Sequence, residues 1–210
     1  LVSGDYAQIE ARVLAWLARG LWLMDSFKKG EDTYTRFAAD HMYPSEMGEY
    51  INCVDVLPNG KHKAKKIWTP KRQRAKSAQL GCGFQVGWET FITYCDNVDL
   101  ILTEYEAKEI VKAYRSAHPE MADYNYGLWA RVERAAIMAV ADESRAVQLA
   151  GTGVTYHVHR IDAERYWLIC TFPSGRHMAY YRPKIRLGLR FGRTVEKLSF
   201  RTEWNGKSYR

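Results

Sequence analysis

The chain has 210 residues and a formal charge of +7, enough length to bury a reasonable core and a charge that favours an acidic partner, nucleic acid being the commonest. Its most apolar stretch, from Val13 to Met24, is interrupted by Arg19 and falls well short of the roughly 20 apolar residues of a membrane helix, so no membrane partner is expected. Cys53, Cys82, Cys95 and Cys170 form no CxxC pair and no secretory leader is visible, which points to reduced thiols in a cytosolic setting.

In chain order, a short apolar run leading to Asp5 reads as a strand, and Ile9, Val13, Leu14, Leu17 and Leu21 recur at helical spacing. A second helix is expected from Asp32 to about Met42, with Asp32 near its cap. Between Pro44 and Trp68 the pattern loosens at Pro58-Asn59-Gly60, a turn signal, and Lys61, Lys63, Lys65 and Lys66 mark a mobile basic loop or hairpin. Thr69 and Pro70 then open a helix that runs to about residue 84. Trp88 to Cys95, Glu104 to Ala117 and Glu120 to about Asp142 read as three more helices, with Pro119 separating the last two. From about Gln148 the texture turns to alternating β-branched and aromatic residues, typical of strands, and Pro173-Ser174-Gly175 reads as a hairpin turn. The expected class is α+β, mostly helical with a C-terminal β-hairpin region.

Two segments carry chemistry. Arg72, Lys76, Leu80 and Phe84 recur every fourth residue and so fall along one helical stripe. Cations near a helix start sit at the positive end of its dipole, an arrangement that costs stability unless an anion binds there, and a polyphosphate is the natural anion. Asp5, at a strand end before an amphipathic helix, is a candidate ligand for a hard divalent cation that neutralises phosphate oxygens; its bland alternative is a helix cap. His157 and His159 point to one side of a strand, but no third ligand accompanies them, and surface histidines are the preferred reading.

These residues carry a resemblance. Asp5-Tyr6-Ala7-Gln8-Ile9-Glu10-Ala11-Arg12 resembles motif A of the family A, polymerase I type DNA polymerases, and Arg72, Lys76, Leu80, Gly81 and Phe84 resemble motif B. GEDTYTRFAADHMY, RAKSAQLGCGF and TFPSGRHMAYYRPKI are similar to segments of the phage and prophage branch, and the resemblance covers essentially the whole chain. It implies residues 1–30 as a palm segment with motif A, 31–145 as helical fingers with the motif B helix at about 70–84, and 146–210 as a β-rich segment returning towards the palm. The family's later His-Asp-Glu motif has no counterpart before Arg210, so the chain is expected to be an excised segment, inactive by itself.

The resemblance also implies roles. Asp5 would ligate two catalytic magnesium ions, with the Tyr6 carbonyl as a further ligand, and Glu10 would crowd the sugar 2′ position as a steric gate. Arg72 and Lys76 would hold the incoming deoxynucleoside triphosphate, Lys76 also donating a proton to the pyrophosphate leaving group. Leu80, where many bacterial relatives carry an aromatic residue, would offer apolar contact, and Phe84, where relatives carry tyrosine, would pack near the templating base without a hydroxyl. Tyr34 stands where bacterial relatives place a phosphate-contacting histidine, Gln8 and Arg12 would be local hydrogen-bond and packing partners, and Arg176 would approach the primer-template DNA backbone. The implied partners are primer-template DNA, deoxynucleoside triphosphates, and the thumb and remaining palm of a parent polymerase in a phage-infected or prophage-bearing bacterium. Two other readings stay open, a noncatalytic DNA-binding scaffold and, against the Gln8-Ile9-Glu10 sequence, a single-subunit RNA polymerase.

Overall fold

A computed structural model describes residues 7–190, 192–204 and 207–209, so the expected strand leading to Asp5 lies outside the described residues. The chain is of the α+β class and divides into two compact units, Leu1–Trp129 and Ala130–Arg210.

In the first unit the helix expected after Asp5 is two helices, α1 (Ile9–Ala18) and α2 (Leu21–Lys28). Arg19 takes a left-handed conformation (φ 61°), and the Gly20 N–H donates to the Ala15 carbonyl at 2.8 Å, closing α1 as many helices close. A Cβ on Gly20 would stand 2.7 Å from Glu120 Oε1, the mobile end of a side chain that can move aside. The helix expected over residues 32–42 is α3 (Thr33–Phe37) followed by a π-helical turn, Ala38–Met42, in which the Tyr43 N–H reaches back five residues to the Ala38 carbonyl. After the short α4 (Pro44–Met47), the basic segment is a hairpin of β1 (Val54–Val56) and β2 (His62–Ala64), paired Val54 to Ala64.

Next comes α5 (Thr69–Cys82), with Pro70 in its first turn, where its missing N–H costs nothing. It is weakly amphipathic and buries small residues, Ala75, Ala78, Gly81 and Cys82, so its neighbours approach closely. A Cβ on Gly81 would lie 3.0 Å from the Phe91 ring on α6 (Trp88–Asp96). On the same core lies α7 (Glu104–Ala117), begun by a reciprocal capping box between Thr103 and Glu106.

The last expected helix is also broken, into α8 (Pro119–Ala122) and α9 (Leu128–Ala141). Asp123 Oδ1 accepts from the N–H groups of Asn125 and Tyr126 at 2.7 and 3.1 Å, a local turn that competes with continued helix.

In the second unit, six strands follow one another in an antiparallel sheet in sequence order: β3 (Val147–Leu149), β4 (Val154–Arg160), β5 (Tyr166–Thr171), β6 (His177–Arg190), β7 (Arg193–Trp204) and β8 (Lys207–Tyr209). The β5–β6 turn is the one expected at Pro173-Ser174-Gly175, with Gly175 left-handed at φ 79°. Within β6, Pro183 cannot donate to the ladder, and the pairing with β7 shifts register between Tyr181 and Lys184. Among the described residues no helix is long and apolar enough to cross a membrane. All four cysteines are free and buried.

Candidate functional site

The basic stripe begins on the first turn of α5. Arg72 Nε donates to Asp32 Oδ2 at 2.6 Å, and its guanidinium carbon lies 5.1 Å from the centre of the Tyr34 ring. One anion near this helix start is therefore supplied by the chain itself. Asp32 precedes α3 and makes no side-chain cap there, because its carboxylate turns to Arg72 and to the Thr35 hydroxyl, 2.7 Å away. The Asp32 side chain is only 5% exposed, and its Oδ1 has no hydrogen-bond partner among the described residues. One turn on, Lys76 is partly exposed and, among the described residues, has no ion-pair partner.

Tyr34 is 6% exposed, so its ring is a surface beneath Arg72 rather than a projecting arm. Burial pushes its hydroxyl pKa up; the Arg72 charge opposes that shift, and the Asp32 and Glu10 charges add to it.

The stripe continues as an apolar wall. Leu80 and Phe84, with Ile9, Leu14, Tyr114 and Trp129, line an open recess of about 380 Å³ that Glu10 also borders. Phe84 is 60% exposed beyond the end of α5, its ring 6.4 Å from that of Trp129, whose Nε1–H donates to the Gly83 carbonyl at 2.8 Å. Glu10 lies exposed in the first turn of α1. Arg12 is engaged elsewhere: its Nε donates to the Ala7 carbonyl at 3.0 Å and its guanidinium sits 4.1 Å above the Phe27 ring.

A buried knot joins these pieces. Gln8, left-handed at φ 56°, accepts from Thr33 Oγ1 at 2.8 Å, and Gln79 on α5 donates from Nε2 to the Thr33 carbonyl at 3.1 Å. The residues around Glu10 are thereby tied to α3 and α5 by hydrogen bonds to one threonine.

The structure brings Glu10, Leu80 and Phe84 to one recess, and Arg72 to Tyr34. Sequence reasoning placed Asp32 near the cap of α3, where it is, but missed the pairing of its carboxylate with Arg72, and it missed Thr33 and Gln79. The one available signal was an acidic residue preceding α3 in a chain that needs an anion at α5. Asp5 and Tyr6 lie outside the described residues. Arg176 is exposed directly after the β5–β6 turn, in the second unit. His157 and His159 lie on β4, and among the described residues no group of three or more His, Cys, Asp or Glu side chains comes together to hold a metal ion.

A curated DNA polymerase from Bacillus phage SP02 is 34% identical over 189 residues, 90% of this chain and 25% of that protein. By sequence, the chain is a relative of the family A DNA polymerases, in their phage-like branch. DNA polymerase I of Geobacillus stearothermophilus is 28% identical over 124 residues, 59% of this chain and 12% of that polymerase. No family model matches the chain. The chain therefore spans about a quarter of the length of its phage DNA polymerase relative. In this family A relative, the motif A residues from Ile9 onward begin α1, and the motif B residues from Arg72 to Gly81 lie on α5.

Proposed function

We propose that this chain supplies the nucleotide-handling part of a DNA polymerase that performs template-directed deoxynucleotidyl transfer. The supporting observation is the stripe along α5, which passes from two cations to an apolar wall in the order that a triphosphate and its base would need. The two Nη groups of Arg72 and the Lys76 ammonium would hold the phosphates, and Leu80 and Phe84 would face the base pair. Glu10, on the rim of the same recess, would exclude a 2′ hydroxyl.

In the reaction, the primer 3′ hydroxyl gives up its proton to solvent water and its oxygen bonds to the α-phosphorus as the bond to the pyrophosphate oxygen breaks. Lys76 gives its proton to that leaving oxygen. Rotation of α5 over a correctly paired nucleotide would complete the site. Arg176 would contact the DNA backbone. Asp5 and the Tyr6 carbonyl would hold two magnesium ions, which neutralise phosphate charge when bound. The thumb and remaining palm of the parent protein complete the proposed assembly, acting in the cytoplasm of a phage-infected or prophage-bearing bacterium.

The test is primer extension by the polypeptide that carries this segment, with Arg72→Ala and Lys76→Ala variants. Each substitution should lower kcat/KM for deoxynucleotides by about a hundredfold or more, the usual result of losing one preorganised charge donor. A well-folded protein that binds primer-template but extends nothing would favour the scaffold reading. Preferential use of ribonucleotides would favour the RNA polymerase reading.

A further inference from the structure

We infer that Asp32 is a positioning residue for Arg72: it fixes the guanidinium so that both Nη groups face outward to a triphosphate. The inference rests on the triphosphate role proposed for Arg72, and its own basis is geometric. An arginine on a helix surface has several rotatable bonds, and a phosphate binds best when few of them have to be frozen on binding. Here three contacts restrict them. Arg72 Nε is held by Asp32 Oδ2 at 2.6 Å, the Tyr34 ring lies 5.1 Å from the guanidinium carbon, and Asp32 Oδ2 is itself held by Thr35 Oγ1 at 2.7 Å.

The backbone of the positioning residue is fixed as well. The Asp32 N–H donates to the Tyr50 hydroxyl at 2.9 Å, and that hydroxyl lies 2.8 Å from His62 Nδ1 on β2. Asp32 is thus tied to α5, to α3 and to the basic hairpin. Pairing through Nε alone is the informative detail. A fork-to-fork pair would occupy two nitrogens, whereas this one leaves both Nη groups without a hydrogen-bond partner among the described residues. An aspartate that merely neutralised a surface arginine would not need to be almost wholly buried, with one oxygen unpartnered.

The test uses the polypeptide that carries this segment, with Asp32→Asn, Arg72→Ala and the double variant. Steady-state primer extension is measured alongside the dissociation constant for primer-template. Asp32→Asn keeps the shape and removes the charge. It should raise KM for deoxynucleotides about tenfold, the size of one lost charge-assisted hydrogen bond, with a smaller change in kcat and none in primer-template affinity. In the Arg72→Ala background the same substitution should change nothing further, because its effect runs through the guanidinium.

Equal effects of Asp32→Asn in both backgrounds would overturn the inference, as would an unchanged KM. A lowered KM would also overturn it, since the aspartate would then be competing with phosphate for Arg72. If Arg72→Ala itself leaves KM unchanged, the triphosphate role falls and this inference falls with it. If Arg72→Ala raises KM and Asp32→Asn does not, only the positioning role is lost.

Discussion

The Gln79 side-chain amide donates to the Thr33 carbonyl across 46 positions of sequence, at 3.1 Å. Thr33 is fully buried, and its hydroxyl donates in turn to Gln8 Oε1. Thr33→Val removes that hydroxyl without changing the side chain's shape and leaves the Gln8 oxygen short of a donor. Stability should fall by about 1–2 kcal/mol, read as a lower urea midpoint at unchanged m-value. An unchanged midpoint would mean that the bond has no net worth.

Glu10 is exposed, so Glu10→Ala should leave the melting temperature within experimental error. If it crowds the sugar, the ratio of kcat/KM for deoxynucleotides over ribonucleotides should drop by about ten- to a hundredfold, mostly through better use of ribonucleotides. A constant ratio would remove the gate role from this residue.

Gly127 marks a backbone near-collision. A Cβ there would meet the Asp123 nitrogen and oxygen at 2.6 Å and the Met121 oxygen at 2.8 Å, all main-chain atoms with little freedom to move. Gly127→Ala should destabilise the chain by roughly 1–3 kcal/mol, measured by thermal unfolding. Gly87→Ala is the control, since a Cβ at that position has nothing within 4 Å.

His41 packs against the Trp22 and Phe37 rings but remains exposed on its other side, and the partial loss of water on the packed side, the largest cause, lowers its pKa from the ordinary histidine value. The charges of His118 and Arg36 push the same way, and Asp40 opposes them. The native state therefore keeps His41 neutral where the unfolded chain has already taken a proton. Stability is full above the unfolded pKa of about 6.5 and is lost as pH falls through that value towards the lower folded one. His41→Phe should flatten this slope in urea titrations across that interval. Retention of the full slope would assign it to another group.

Much of the helical half was legible because its signals are local. The limits of α7 follow from periodicity between Thr103 and Pro119, and Pro70 places the start of α5. The two breaks were not read, although Gly20 and the Asp123-to-Gly127 segment offered hints, because a left-handed Arg19 and a turn around the Asp123 carboxylate leave hydrophobic periodicity unchanged. The π-helical turn at Ala38–Met42 carries no sequence sign that periodicity can detect. At the site, helical spacing aligned Arg72, Lys76, Leu80 and Phe84, while the Asp32 contact depends on how α3 packs against α5. Cap chemistry and ion pairing draw on the same residue types, so Asp32 alone could not reveal which of the two it performs.

The register shift in β6 has a mechanical consequence. Its first part is held by β5, with Trp167 opposite Tyr181, and its far end is gripped where Arg190 forms a two-pronged pair with Glu133 on α9, both contacts at 2.9 Å. A strand interrupted near Pro183 and free at one end would swing there like a flap. Moored at both ends it cannot, and the irregularity is taken up as local twist, so the ribbon behaves as a strut that carries load between sheet and helix.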